Sequence, residues 1–590
     1  MKQKNKEKNT KQSATTTKKV VKQDSYKKIA TSKPLFWIGL AIISIVYIFV
    51  YTSIFDYKID MNGDNIIYYS LGSAIADGKG YVNVFDWNES PSNMFTPGYP
   101  FIIAVAVTFG AKVVGLKVLN GIFLYLSLLV CYTLFNKVTK DVFISFVTVL
   151  LCSMNESLYA RATIMMSEIP YLFFSMLALL IFYIYYEKIQ QQPDEAIPPE
   201  QRRQWYINRG IWLLLLGVTI VSAYYIRTIG VTLLLALALT FIIYIITNLI
   251  KIKPFDMKVQ VNANKFLVIT IIACAAIFLL AKAPWDARNE RQNLKGYYLD
   301  QALYQGTGGK ELDGIGDNLL KVKKNFVTYL CRIYPLGLYV EPVEFDNYKI
   351  APNTRQWTLG IIIVSLIVIG FFSIKKKDII LIFAMGGNIL VFLMWPETYN
   401  IGTRYLIPII PLSLLFSILG VVRIFDLIGR VVKIKTGWKN LLAVLLVLFM
   451  CIPNYSAAIK KSTAFSQHTE WNSQIAKKEF CDFIDAMKWT NANTPANSRV
   501  SCRKPEIFYI YSDKRKSISF PYYATEEEVF QFLDSNKINY IILDSWYKHA
   551  MTTIAPVVNA HLDLFEVLNK FGDDNSAAYV VRYKPVPMPK

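Results

Sequence analysis

Charged side chains beside apolar stretches cost free energy, so those that ordinary basic loops do not explain are the first candidates for chemistry. In this sequence they are few. Asp60 and Asp64 fall in Asp60-Met61-Asn62-Gly63-Asp64-Asn65, and Glu168 falls in Ser167-Glu168-Ile169-Pro170. Arg161, Arg227 and Arg404 each sit in a short loop expected on the face that positive charge normally avoids. A carboxylate can take the proton of an acceptor hydroxyl, and guanidinium forks bind phosphate oxygens in pairs. Brought together, these residues supply a general base and a clamp for an anionic lipid phosphate. The competing reading is a surface ion-pair network. Seven Cys are scattered without a C-x-x-C pair, and the three His residues, 468, 549 and 561, all lie late in the chain. Neither a zinc ribbon nor a disulfide framework is indicated. Chemistry in the apolar part therefore rests on carboxylates, Arg, Lys, Tyr and backbone.

The elements that must position these residues are membrane spans. The chain has 590 residues, 53% hydrophobic and only 18% charged, with a mean hydropathy of +0.31, a balance that argues against a soluble globular protein. Its net charge of +21 is carried by Lys and Arg collected between apolar runs, which is topology rather than nucleic-acid binding. Apolar runs long enough to span begin at Leu35 to about Phe55 and recur near 115–136, 142–159, 169–186, 210–226, 229–250, 266–282, 356–374, 378–395, 405–426 and 440–457. That makes about 11 transmembrane helices. The basic connections (Lys137 and Lys140; Lys188, Arg202, Arg203 and Arg209; Lys251, Lys253 and Lys258; Lys375 to Lys377; Arg430, Lys433, Lys435 and Lys439) fall on one side, the cytoplasm by the positive-inside rule.

Residues 1–34 read as a disordered basic cytoplasmic arm, and 35–457 as the transmembrane domain. Two large loops, 56–114 and 283–355, face outward. The first contains an amphipathic stretch, Ile66 to Ala76, and an apolar run from Pro97 to Phe109 too short to cross, expected as a helix at the outer interface. An odd number of spans sends the tail, 458–590, to the outer face as a soluble α/β domain. Strands are expected at 500–502, 517–519, 538–543 and 578–583, and helices near 474–490, 525–535 and 545–559, with a capping box in Thr525-Glu526-Glu527-Glu528.

The run Gly63-Asp64-Asn65, Tyr68, Gly78-Lys79-Gly80-Tyr81 and Thr96-Pro97-Gly98-Tyr99-Pro100 resembles the first outer loop of GT-C class glycosyltransferases. These multispanning enzymes take sugars from polyprenyl-phosphate donors and include protein O-mannosyltransferases and lipid A aminoarabinose transferases. Later stretches agree in order: Tyr159-Ala160-Arg161 leading to Glu168 and Pro170, Arg227-Thr228-Ile229-Gly230, Pro284-Trp285 with Arg288-Asn289, and Arg404-Tyr405-Leu406-Ile407-Pro408 with Pro411. The resemblance implies catalytic roles for Asp64, as the base, and for Glu168, as a second site carboxylate, with Arg404 as the donor-phosphate ligand. Arg161, Arg227 or Arg288 would be a second guanidinium, and Tyr405, Tyr68 and Tyr99 further substrate contacts. Asn65 stands where many relatives carry a second carboxylate, and Gly402-Thr403 where many carry a His. One-step displacement would invert the anomeric centre. Glu168 could orient the acceptor or join Asp64 on a divalent cation, although two carboxylates alone do not define a metal site. The implied partners are a polyprenyl-phosphate sugar donor, an acceptor lipid, glycan or protein, and membrane lipids, in a bacterial plasma membrane. A lipid-linked polysaccharide polymerase or ligase and a secondary transporter are the alternatives. A transporter would place its ionisable residues at mid-span rather than at one face.

Overall fold

The computed structural model describes residues 32–60, 63–190, 198–251, 257–294, 314–341, 351–396, 402–431, 436–546, 550–573 and 576–584. All but the last three residues of the basic arm, together with Lys253, Lys433, Lys435 and His549, lie outside the described residues. The chain divides into two compact units. One comprises Met1–Ile54, Asn120–Ala162 and Ser167–Ser462, the other Phe55–Leu119, Thr163–Met166 and Thr463–Lys590.

In chain order the helices up to the tail are α1 (Lys33–Ile54), α2 (Gly63–Ala76), α3 (Gly98–Thr108), α4 (Val113–Thr139), α5 (Val142–Cys152), α6 (Glu156–Ala162), α7 (Glu168–Gln190), α8 (Pro199–Ile226), α9 (Val231–Lys251), α10 (Met257–Arg291), α11 (Ile315–Thr328), α12 (Thr354–Phe371), α13 (Ile379–Met394), α14 (Ile410–Val431) and α15 (Thr436–Ser466). Ten helices are long and apolar enough to cross a membrane among the described residues, or eleven if the bent pair α5 and α6 is one span.

That pair departs from the single run expected over 142–159: the two helices meet at 57°. The cause is Asn155. Its Oδ1 accepts from the Leu158 N–H at 3.3 Å, while its amide donates to Gly337 O at 2.8 Å and to Tyr455 Oη at 3.2 Å. A buried carboxamide satisfied in this way competes successfully with one more turn of helix. A second difference concerns the span expected at 266–282. Helix α10 runs on through Pro284 to Arg291, so Trp285 and Arg288 are helical rather than part of a loop. The loop expected over 283–355 also holds α11 and two π-helical turns, Tyr329–Ile333 and Pro335–Tyr339, which end at Val340 in the left-handed region with φ 59°.

Within this first unit, α12 and α14 approach closely because glycines line the contact. A Cβ at Gly370 would lie 2.0 Å from Phe416 O, and one at Gly420 would lie 2.0 Å from Leu366 O. Small residues of this kind let apolar helices bring their backbones together and gain dispersion contacts where no hydrophobic driving force separates protein from lipid.

The second unit adds α16 (Lys478–Asn493), α17 (Pro505–Tyr511), α18 (Glu526–Ser535) and α19 (Ala555–Ala560) around five strands, β1 (Val500–Cys502), β2 (Ser517–Ile518), β3 (Tyr540–Leu543), β4 (Phe565–Phe571) and β5 (Ala578–Tyr583). The sheet order is β2-β1-β3-β5-β4, with β1 parallel to β2 and β3, and β5 antiparallel to β3 and β4. Alternation along β3 and β5 sends Ile542 and Val580 to one core, with Phe480, Phe483 and Phe508, and Ile541 and Val581 to the other, with Val529 and Leu533. Helix α18 opens on the expected capping box: Thr525 Oγ1 accepts from Glu528 N and the Glu528 carboxylate accepts from Thr525 N. Strand β4 was not expected, because a bulge between Val567 and Asn569 interrupts its alternation.

The segment Phe55–Leu119 belongs to this second unit. Ile66 of α2 is fully buried in the Phe480 and Phe508 core. Lys117, also fully buried, donates from Nζ to Asp56 O at 2.8 Å and to Lys58 O, while Lys58 Nζ pairs with Asp56 Oδ1 at 2.8 Å and donates to His468 O at 2.6 Å. Both ammonium groups thus fix the chain where it leaves the first span.

Candidate functional site

Three backbone devices present the charged residues of the first unit. Glu168 begins α7, where the positive end of the helix dipole favours a carboxylate. Arg227 is the extended residue that ends α8 before a 3-10 turn, Thr228–Gly230. The turn needs its glycine, since a Cβ on Gly230 would lie 2.4 Å from Tyr224 N. Arg404 follows Gly402, at φ 83°, and sits in a 3-10 segment, Thr403–Ile409, that leads into α14.

The three side chains converge. Arg227 Nη1 donates to Glu168 Oε1 at 2.7 Å and to Ser167 Oγ at 2.9 Å, and Arg404 Nε donates to the same Oε1. The Glu168 side chain is 1% exposed, whereas those of Arg227 and Arg404 are 17% and 16% exposed. Arg161, in the last turn of α6, adds a third positive charge to the field at Glu168. Arg227, Arg404 and Arg161 thus set three positive charges around the Glu168 carboxylate. Glu168 Oε2 is buried and accepts no hydrogen bond among the described residues.

Beside Arg404 the lining turns apolar. Its guanidinium lies 5.8 Å from the Tyr405 ring, and Tyr405 is 5.9 Å from Phe392. Phe392 is one wall of a groove of about 190 Å³ formed with Phe326, Tyr329, Tyr334, Ile367 and Met385. The π-helical turn carrying Gly337 packs against the Arg404 segment, a Cβ there lying 2.9 Å from Leu406. One turn earlier, Arg332 is 5% exposed within Tyr329–Ile333. Sequence reasoning passed over this guanidinium, since its neighbours show no break in apolar pattern that would set it apart.

The other expected residues have different surroundings. Arg288 stacks 4.9 Å over Trp285 and donates to Asn289 Oδ1 at 2.8 Å. In the second unit, Asp64 is half-buried in the first turn of α2, and Asn65 behind it donates to Asp60 O at 2.5 Å. Tyr68 stacks on Phe95 at 4.2 Å and meets Tyr99 edge-on at 5.0 Å. Both tyrosines are buried, so their rings hold α2 against α3. Among the described residues no three His, Cys, Asp or Glu side chains converge in a way that could hold a metal ion.

The chain as a whole is similar to known proteins. The family model for dolichyl-phosphate-mannose-protein mannosyltransferase matches residues 93–286. ArnT from Cupriavidus metallidurans, solved with undecaprenyl phosphate, superposes with a TM-score of 0.54 at 9% identity, over 92% of this chain and 98% of that one. The fold is that of GT-C glycosyltransferases. The oligosaccharyltransferase of Archaeoglobus fulgidus, tethered to an acceptor peptide, matches with a TM-score of 0.52 at 13% identity, over 93% of this chain and 74% of its own. Oligosaccharyltransferase AglB from Archaeoglobus fulgidus, in complex with an inhibitory peptide and a dolichol-phosphate, matches with a TM-score of 0.52 at 12% identity, over 92% of this chain and 74% of that one. No curated protein matches by sequence. The GT-C likeness in sequence takes in Tyr99, Arg161, Glu168 and Arg227, and in fold it takes in nearly the whole chain.

Proposed function

We propose that this protein moves a sugar from a polyprenyl-phosphate donor to an acceptor hydroxyl at the outer face of the membrane. The observation that carries the reading is the Glu168, Arg227 and Arg404 cluster, in a unit that also holds an apolar groove and in a chain with the GT-C fold. A prenyl tail requires apolar walls and a sugar phosphate requires fixed positive charge. Arg227 and Arg404 are of the residue type that meets phosphate oxygens through paired N–H donors. Glu168 is then a positioning residue: its buried carboxylate aims both guanidiniums before substrate arrives, and the Oε2 lone pairs suit an acceptor or sugar hydroxyl. The structures solved with undecaprenyl phosphate and dolichol-phosphate are consistent with such a donor.

Asp64 is assigned the base on its motif in the first outer segment. In the step, the acceptor oxygen forms a bond to the anomeric carbon as its proton passes to the Asp64 carboxylate. The bond from that carbon to the phosphate oxygen breaks, and its electron pair leaves on the phosphate. Arg404 and Arg227 stabilise that growing charge without reorganising. Attack opposite the leaving group inverts the centre. The cytoplasmic amino terminus and the outward second unit follow from the basic loops.

The deciding experiment is transfer of labelled sugar from polyprenyl monophosphate donors to cell-envelope material by purified wild type, Asp64→Asn and Arg404→Ala. Transfer by the wild type that is lost in both folded variants is the expected result. Transfer only from diphosphate-linked oligosaccharides would reassign the protein as a polymerase or ligase, and active Asp64→Asn would remove the base.

A further inference from the structure

At the end of the first unit that carries its basic connections, four spans surround an open cavity of about 650 Å³, within the range of about 300 to 1,000 Å³ typical of small-molecule sites. The spans are α7, which ends at Gln190, α9, which ends at Lys251, α10, which begins at Met257, and α13, preceded by a 3-10 turn, Lys376–Asp378. Two lysines, two tyrosines and two carboxamides line it: Lys376, Lys377, Tyr186, Tyr244, Gln190 and Asn248.

Lys376 is exposed and Lys377 half-buried, and each ammonium lies near an aromatic ring. Lys376 Nζ lies 4.9 Å over the Tyr244 ring, whose hydroxyl donates to Lys376 O at 3.1 Å, and Lys377 Nζ lies 5.4 Å over Tyr183. Among the described residues neither ammonium has a carboxylate within ion-pair distance. The neighbouring acid, Asp378, is buried and accepts from Tyr183 Oη at 2.7 Å and from Lys375 N at 2.9 Å. Behind the wall formed by Phe266, the Arg209 guanidinium stacks 4.4 Å from that ring and is 5% exposed. Asn248 donates to Asn264 Oδ1 at 3.0 Å, which fixes the carboxamide at the cavity wall.

Positive charge alone is what sidedness requires of such a loop, and exposed lysines on flexible stems would satisfy it. A polar cavity, aromatic rings beneath both ammonium groups and a braced carboxamide are beyond that requirement. We propose that this cavity binds the phosphate-bearing headgroup of an anionic membrane lipid. Its place at the ends of four spans is headgroup level, its cations attract the phosphodiester, and Gln190 and Asn248 suit the hydroxyls of a glycerol headgroup. The proposal is independent of the sugar donor.

The test uses the full chain in detergent, loaded with phosphatidylglycerol or phosphatidylcholine and read by native mass spectrometry and thermal unfolding. Two variants separate charge from space: Lys376→Gln with Lys377→Gln, keeping Lys375, and Ala263→Trp, which fills cavity volume from a lining position without altering charge. Wild type is expected to retain and be stabilised by phosphatidylglycerol over phosphatidylcholine. The double variant should weaken retention by on the order of 30-fold, and Ala263→Trp should weaken it comparably. Undiminished retention in Ala263→Trp, with unfolding of the lipid-free protein unchanged, would overturn the site. Inorganic phosphate is the third arm: stabilisation by it, with none by phosphatidylglycerol, would overturn the lipid source in favour of a soluble phosphate compound.

Discussion

Glu168 holds two guanidiniums on a single oxygen, so removing either partner has two separable effects. Arg404→Ala withdraws one of the groups proposed to stabilise the departing phosphate, and the loss of one such donor lowers turnover by about 10² to 10³. It also removes one of the two guanidiniums hydrogen-bonded to a buried carboxylate, with a stability cost of about 1.5 to 3 kcal/mol. Arg404→Lys keeps the charge without the planar fork, so it should recover most of the melting temperature and little of the turnover. A Lys variant with full activity would remove the fork from the mechanism. Glu168→Gln should raise the KM for donor more than it lowers kcat, because it releases both guanidiniums from their fixed positions. Steady-state kinetics distinguishes the two effects. The locations of Glu168, Arg227 and Arg404 were legible in the sequence because charge is costly among apolar runs. Their mutual pairing was not, since spans 59 and 236 residues apart meet only in the folded bundle. Arg332 was hidden because the residues around it keep the apolar pattern unbroken and nothing sets it apart.

Between α2 and α3 the contact has no slack. A Cβ at Gly72 would fall 2.4 Å from Ile103 Cγ2 and 3.0 Å from Pro100 O. Gly72→Ala should therefore separate the helices and lower stability by about 1 to 3 kcal/mol, readable as a reduced melting temperature and faster proteolysis within 63–108. An unchanged melting temperature would mean that Ile103 rotates away at little cost. The clamp at the base of the same segment makes a second case: Lys117→Met removes the donor serving two backbone carbonyls and should cost about 2 to 4 kcal/mol. Apolar runs announced the spans, and alternation announced four of the five strands. The π-helical turns, the break at Asn155 and the bulged β4 depend on particular hydrogen bonds that no periodicity encodes.

On the scale of the whole molecule, one thiol can report sidedness. Cys481 is partly exposed on α16, whereas Cys131, Cys152, Cys274, Cys331, Cys451 and Cys502 are buried. Burial, then Asp485 and Asp482, hold the Cys481 thiol above its ordinary range, and burial pushes Cys502 up to about 12. The thiolate is the reactive form, so Cys481 alkylation should accelerate with pH through the alkaline range while Cys502 stays inert until unfolding. An impermeant maleimide should label Cys481 in sealed cells. Labelling only after permeabilisation would place the second unit in the cytoplasm and reverse the proposed topology. The order of the three charged residues along the chain also has a consequence for biogenesis. Glu168 enters the bilayer first, meets Arg227 after 59 more residues and waits a further stretch of synthesis for Arg404, 236 residues downstream. At ordinary elongation rates the gap from Glu168 to Arg404 lasts on the order of 10 to 50 s. Through most of that time the acid has Arg227 and the field of Arg161 but lacks the second hydrogen-bonded guanidinium that fixes it in the finished bundle, a state open to recognition by a membrane quality-control protease.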